Sequence, residues 1–444
     1  MISDQKKREL KFWDSIAITV GIVIGVGIFR VPTEVAKYIG SPSLILLAWL
    51  LGGAISILGV LCYAELSSRF PETGGTYVFL REAYGEFVGF LYGWAEFAIN
   101  RAATIAAVAY IFAAYLKSAV PFGLPGEKWL AFGIIFLLTL VNGIGVHVGV
   151  RVQHVLSFFK AASLLVMTGL IFWFAKAVTP TPSFFSVSEI NLGSVGHFAP
   201  AMVAILWTFG GWHESTFMSG EFRDTKKELP RALIISGLMI TGLYFLINAA
   251  YLKALSPDQM VQSKAIAADV LKKLFGETGK LAMTAIVLMS SLGALNSNIL
   301  TGGRIPFSVA QNSPRLKWLG KVDSRFHTPL RSLVLNGIWA CVLVLWGNFE
   351  QILFFNAFEI WLFFILVGVS VFILRRKNNA HSGFSMVGYP FVPILFTLVS
   401  FWLCWTTIQH APREAFIGFV IILIGGPLYF LAKHSFSPPY KSIV

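Results

Sequence analysis

GIVIGVGIF, from Gly21 to Phe29, sets glycines at positions 21, 25 and 27 inside an apolar stretch near 14–39. A second cluster, WTFGGW from Trp207 to Trp212, puts adjacent glycines at 210 and 211 inside another apolar stretch near 198–219. Glycine is costly in a helix interior and permits unusual backbone angles. Placed mid-span, such clusters let a helix unwind and leave main-chain N–H and C=O groups free. Those groups are tolerated at membrane depth only where protein buries them or where they line a cavity. Taken singly, each cluster also fits small-residue helix packing, and Gly21-x-x-x-Gly25 matches that pattern outright.

The rest of the chain makes the membrane reading firm. Of 444 residues, 56% are hydrophobic and only 13% charged, and the mean hydropathy is +0.72. A soluble chain carries about 25% charged residues, so a soluble multidomain enzyme and a disordered chain are both excluded. Apolar stretches lie near 14–39, 43–68, 86–116, 128–147, 152–178, 198–219, 231–255, 279–303, 330–347, 350–374, 388–409 and 414–432. Twelve spans of about twenty residues each account for them. The fold class is thus an all-α polytopic membrane protein of twelve transmembrane helices, with both termini on one side. Lys and Arg concentrate in the loops and tails on the N-terminal side, which places both termini in the cytoplasm and the chain in the cell (inner) membrane. The basic N-terminus (Lys6, Lys7, Arg8, Lys11) precedes a retained first helix with no A-x-A cleavage site. The outer segment 256–278 has the spacing of an amphipathic helix lying at the interface.

The net charge of +13 is scattered among short loops, with no basic face for a nucleic acid. Cys62, Cys341 and Cys404 fall inside apolar runs and show no metal-ligand spacing. No G-x-x-x-x-G-K-[ST] loop, GxSxG or HExxH is present, so neither ATP-driven pumping nor an intramembrane enzyme is expected, and no cofactor or metal is called for. A channel would want a charged or carbonyl ring.

The two glycine clusters open the first and sixth spans, where an inverted five-plus-five repeat places its equivalents. Paired interrupted helices of this kind mark a transporter site. Half-helix N-termini offer N–H groups to a carboxylate and freed carbonyls take an ammonium, which suits a zwitterionic α-amino acid.

Several blocks in order carry a family resemblance: GIVIGVGIF, AELSSRFPETGGTYVFLREAYG (64–85), Glu96 and Arg101 in the third span, RVQHVLSFFK (151–160), FGGW followed by LPRA (229–232), LNSNILTGGR (295–304) and IGFVIILIGGPLYF (417–430). The chain resembles the amino acid–polyamine–organocation superfamily, as a bacterial relative of its L-type amino acid transporter branch. The resemblance implies a five-plus-five inverted-repeat fold with helices one and six discontinuous, working by alternating access. Residues 1–13 form an N-terminal segment, 14–178 and 198–375 the two repeats, 388–432 two further helices, and 433–444 a tail. By motif, substrate falls to Val23, Gly25, Val26 and Gly27, then Trp207, Thr208, Phe209 and Gly210, with Trp207 as an aromatic gate. Val26 stands where the family often has a small polar residue, so the carboxylate donors must be backbone. Lys160 occupies the place where sodium-coupled relatives hold a cation, with carbonyls near Gly21–Ile24 and a hydroxyl of Ser290 or Ser291 as partners. Glu96 and Arg101, five apart, read as an intramembrane ion pair.

The function expected is sodium-independent transport of neutral L-amino acids by exchange. Proton symport and transport of cationic amino acids or polyamines stand as alternatives, the cationic one depending on Glu214. The segment 118–127 lacks the cysteine by which animal relatives bond a glycoprotein, so no disulfide-linked subunit is expected.

Overall fold

The computed structural model describes residues 11–120, 123–143, 150–175, 192–302, 321, 330–377 and 383–433, with side chains described for all of these except 150–161, 192–197, 221, 300 and 431–433. Every regular element among them is helical. Eight helical stretches in this set are long and apolar enough to cross a membrane, and two shorter apolar segments, Ala162–Phe174 and Leu330–Trp346, accompany them.

The first span is three pieces: α1 (Phe12–Val23), a 3-10 turn (Gly27–Phe29) and α2 (Val31–Tyr38). After it comes α3 (Pro42–Arg69), started by Ser41, whose hydroxyl accepts from the Leu44 N–H, and by Pro42 in the first turn. A short α4 (Thr76–Tyr84) leads into α5 (Glu86–Ala95), a π-helical turn (Glu96–Arg101) and α6 (Ala102–Ala119), which together make one long span. Next are α7 (Glu127–Gly143), α8 (Val150–Phe174) and α9 (Leu192–Phe209), the last continued past a break by a 3-10 stretch (Glu214–Glu221). The second half continues with α10 (Glu228–Ala254), α11 (Pro257–Gln262), α12 (Ile266–Gly302), α13 (Leu330–Trp346), α14 (Phe349–Lys377), α15 (Phe391–His410) and α16 (Pro412–Lys433).

In lipid, apolar surface gains little by leaving its neighbours, so close packing must hold the helices together. The α3–α10 pair illustrates this: a methyl group added at Gly53 would lie 2.2 Å from Thr241 Cγ2. The π-turn span is mostly buried, whereas α15 and α16 keep most of their surface outward (Leu398, Phe401, Phe416, Leu423) and form the perimeter.

The segment 256–278 differs from the expectation of an interfacial helix. It is divided into α11 and the first part of α12, which a kink at Gly276 (φ 66°) separates from the spanning part. Its apolar face, Ile266, Ala267, Ala268 and Val270, is buried against protein. Thr33 donates to the Ser263 carbonyl (2.9 Å), and the Tyr115 hydroxyl donates to Phe29 O (2.9 Å) while accepting from Ala267 N (3.2 Å). The bonds at Ser263 and Ala267 explain the difference, because these two tie the segment down over α2 and α6.

At the opposite end of α3, fully buried Glu65 accepts from Arg375 Nε (2.6 Å), Arg375 Nη2 (2.5 Å), Arg69 Nε (2.8 Å) and Met386 N (3.0 Å). A carboxylate so deep is stable only with such complete pairing. It fixes α3, α14 and the strand of chain entering α15 to one another.

Candidate functional site

The break in helix one is made differently from the expectation. Glycines 21, 25 and 27 all keep ordinary negative backbone angles, since none belongs to the positive-φ set. The turning residue is Ile24, with φ −67° and ψ 71°. Those angles define an inverse γ-turn, available to any residue, and the Gly25 N–H accordingly donates to Val23 O (2.5 Å). Glycine at 27 answers a steric need instead: a Cβ there would sit 3.1 Å from Trp207 Cζ3 and 3.3 Å from Thr208. At Gly25 the nearest atom to an added Cβ is 3.7 Å away, so sterics do not require glycine there.

Helix six breaks as expected from its glycines. The Gly210 N–H closes back onto Trp207 O (3.0 Å), and Gly211 takes φ +98°, a conformation L side chains rarely adopt. A Cβ on Gly211 would meet Ile22 Cγ2 at 2.8 Å. Ile22 thus lies by Gly211, and Gly27 by Trp207 and Thr208. The two breaks lie side by side and antiparallel, touching at both ends.

Tyr244 of α10, which the sequence reading missed, joins them. Its fully buried hydroxyl donates to Val23 O (2.7 Å) and lies 3.4 Å from Thr208 O. A tyrosine in mid-span needs a partner for its O–H, and that is the signal in the sequence that marks it. The Val23 carbonyl therefore receives two donors, Gly25 N–H and Tyr244 O–H, and is committed to holding the break. Phe209 is buried between Trp49 (ring centroids 6.1 Å) and Tyr244 (5.0 Å), and Thr208 Oγ1 donates to Ala204 O (3.2 Å). Phe209 and the Thr208 hydroxyl are therefore occupied in packing, and Val26 and Gly27 are buried as well, which leaves Gly25, Trp207 and Gly210 partly exposed at the breaks.

Trp207 is partly exposed. Its ring meets Phe349 edge to face at 6.0 Å, and the Arg30 guanidinium lies over the other end of that contact, 5.5 Å from the Phe349 centroid. Arg30 is in turn 2.8 Å from Glu34. This aromatic and charged stack joins helix one, helix six and α14 on one side of the break. A cavity of about 20 Å³ lies next to Trp207, walled also by Ser56, Leu206, Gly210, His213 and Trp361 among others. That volume suits a single water, and Val23, Gly25, Val26 and Gly27 are not among its walls.

On the other side of the break lies a buried charged cluster. Arg101 Nε is 2.8 Å from Glu96 Oε1. In an α-helix, residues five apart lie on different faces, but the π-turn spanning Glu96–Arg101 brings them together. Glu96 also accepts from Tyr92 O–H (3.2 Å) and Asn100 Nδ2 (2.9 Å). Arg101 reaches Glu214 Oε2 with both terminal nitrogens at 3.4 Å, and Asn298 Oδ1 of α12 at 3.5 Å. Glu359 of α14 is buried nearby with its Oε2 unpartnered among the described residues.

The Lys160 side chain lies outside the described residues. Its helix, α8, packs against both α1 and α12. On α12, Ser291 donates to its own helix at Val287 O (2.7 Å), while the buried Ser290 hydroxyl has no partner among the described residues. No cluster of three metal-ligating side chains occurs among the described residues.

The amino acid permease family model matches residues 10–426. The serine/threonine exchanger SteT of Bacillus subtilis (strain 168) is 29% identical over 431 residues, covering 96% of this chain and 97% of that protein. The Asc-type amino acid transporter 1 of Mus musculus is 30% identical over 442 residues, 98% of this chain and 82% of the relative. The large neutral amino acids transporter small subunit 2 of Homo sapiens is 29% identical over 441 residues, 96% of this chain and 81% of the relative.

Proposed function

Since the chain belongs to the amino acid permease family and is an amino acid transporter rather than an enzyme, we propose that it exchanges small neutral L-amino acids without sodium, by alternating access. The observation that carries this reading is the pair of antiparallel breaks held by one tyrosine. The outer half of helix one begins at Gly27, and the leading N–H groups of a helix have no intrahelical acceptor. They receive the substrate carboxylate, favoured by the positive end of the helix dipole. Carbonyls ending α9 at Trp207–Phe209 receive the ammonium. Unlike groups donated by flexible side chains, both sets are fixed by backbone, so they select the α-amino acid moiety and leave the side chain to the walls.

Those walls favour small side chains. The branched Val26 and the bulky Trp207 narrow the space at the two breaks. The name of the Bacillus relative, a serine/threonine exchanger, accords with this. Lys160 of α8 supplies the fixed positive charge that makes sodium unnecessary, with Ser290 of α12 as its hydroxyl partner. The Ser290 hydroxyl, without a partner among the described residues, and the packing of α8 against α1 and α12 support that placement.

The architecture belonging to this reading has twelve spans: repeats over 14–178 and 198–375, two further helices over 388–432, and both termini cytoplasmic in the cell membrane. It works as a single chain, with no disulfide-linked subunit. Uptake of a radiolabelled amino-acid panel by the purified protein in liposomes tests the proposal. Serine, threonine and alanine should be taken up in preference to phenylalanine and tryptophan, and preference for the aromatic ones would overturn it. Proton symport is the second reading, favoured by the Glu359 oxygen that has no partner among the described residues. Acid-stimulated net uptake into empty liposomes would establish it instead.

A further inference from the structure

Glu214 stands four residues beyond Gly210, at the start of the 3-10 stretch that resumes helix six. Its side chain is 26% exposed, more open than the buried Glu96 and the nearly buried Arg101. A carboxylate so close to a site for an α-amino acid is what an arginine or lysine side chain would seek, because charge-assisted pairs are the strong ones. Here the place beside it is already taken.

We propose, building on the exchange of neutral amino acids set out above, that Arg101 is the residue that excludes cationic substrates. Its guanidinium occupies, from within the protein, the position beside Glu214 that the charged end of a bound arginine or lysine would need. The construction fits this role. Glu96 is held by Tyr92 and Asn100 and grips only the Nε edge of Arg101, at 2.8 Å. That leaves Nη1 and Nη2, and both face Glu214 Oε2 at 3.4 Å. Five donors in a rigid fork make arginine suited to serving two carboxylates at once. The π-turn is what aims the fork, since a regular helix would carry Arg101 away from Glu96.

Charge balance gives the consequence of removing it. Three carboxyl groups face this place: Glu96 from the π-turn, Glu214 from helix six and Glu359 from α14. Asn298 from α12 and His213 from the helix-six break are the polar neighbours, and Arg101 is the one cation paired with these acids among the described residues. Without it the cluster carries only acidic groups, and an incoming cation is the natural replacement. The contacts to Glu214 are longer than the roughly 2.7–2.9 Å of a tight charge-assisted pair, so Arg101 is held by Glu96 and presented to Glu214.

The test uses the full-length protein in liposomes, with counterflow of radiolabelled L-arginine and L-serine measured for each variant. Wild type should exchange serine and take up arginine at the level of protein-free liposomes. Arg101→Gln should gain saturable arginine exchange, about tenfold or more above wild type. Adding Glu214→Gln to that variant should remove the gain. Arg101→Lys keeps a charge at this depth but reaches less far, and should admit arginine at an intermediate level. It also serves as the deciding variant should Arg101→Gln not insert. Arginine exchange by wild type at rates near those for serine would overturn the proposal. So would arginine exchange at the wild-type level in Arg101→Lys, or a gain in Arg101→Gln that survives Glu214→Gln. Failure of wild type to exchange serine would refute the neutral-exchange reading itself, a distinct outcome.

Discussion

The Tyr244 hydroxyl donates to the Val23 carbonyl at 2.7 Å, from a helix remote in sequence to the last residue of α1. One side chain therefore sets the α1 end of the helix-one break and, through its 3.4 Å approach to Thr208 O, the helix-six break as well. Tyr244→Phe keeps the ring packed on Trp49 and Phe209 but removes the donor. A buried hydrogen bond is worth about 1 kcal/mol net and more where its acceptor is stranded. Substrate exchange should fall roughly five- to tenfold by that arithmetic, with the protein still monodisperse in detergent. An unchanged exchange rate would show that the tyrosine does not shape the site.

Three of the break glycines should respond differently to alanine. Gly211→Ala places a Cβ 2.8 Å from Ile22 and forces a left-handed backbone on an L side chain, so it should lower thermal stability and abolish exchange. Gly27→Ala crowds Trp207 and Thr208 at 3.1–3.3 Å and should weaken exchange with less loss of stability. Gly25→Ala meets nothing closer than 3.7 Å and should leave the melting temperature near wild type. Thermal melts of the three variants check the order.

Which features were legible in the sequence follows from what each depends on. Hydropathy, the two glycine clusters and their placement in the first and sixth spans depend on local composition, and the interrupted helices were found where those clusters lie. The means of breaking was not legible for helix one. Ile24 turns the chain with angles any residue can take, so no residue type announces it. Tyr244, Tyr115 and the Glu65–Arg375 pair are contacts across 310 residues or fewer of intervening chain, set only when helices pack. The Glu96–Arg101 pairing was legible as a pair of opposite charges, but the π-turn that permits it was not.

Trp207→Ala should enlarge the gap toward Phe349 and the adjoining small cavity. Acceptance should widen toward leucine and phenylalanine while serine exchange weakens several-fold, since closing over the substrate loses its largest wall. Competition of labelled serine uptake by a graded series of side chains measures this. A strict small-substrate preference retained by the variant would contradict the assigned role.

On the role proposed for Lys160, Lys160→Ala should impair exchange by loosening the hold of α8 on α1 and α12. The residual activity should stay flat across the neutral pH range, as a lysine that remains charged moves no proton. Strong acid stimulation in wild type that vanishes in the variant would make Lys160 the proton carrier.

Counterflow in sodium-free medium reaches the central claim most directly. Purified protein is placed in liposomes that are either empty or loaded with unlabelled serine, with choline replacing sodium, and labelled serine is supplied outside. Exchange without sodium predicts rapid saturable uptake into loaded vesicles, little into empty ones, and the same rates when sodium is restored. Equal uptake into empty and loaded vesicles, or uptake that appears only with sodium, would contradict it.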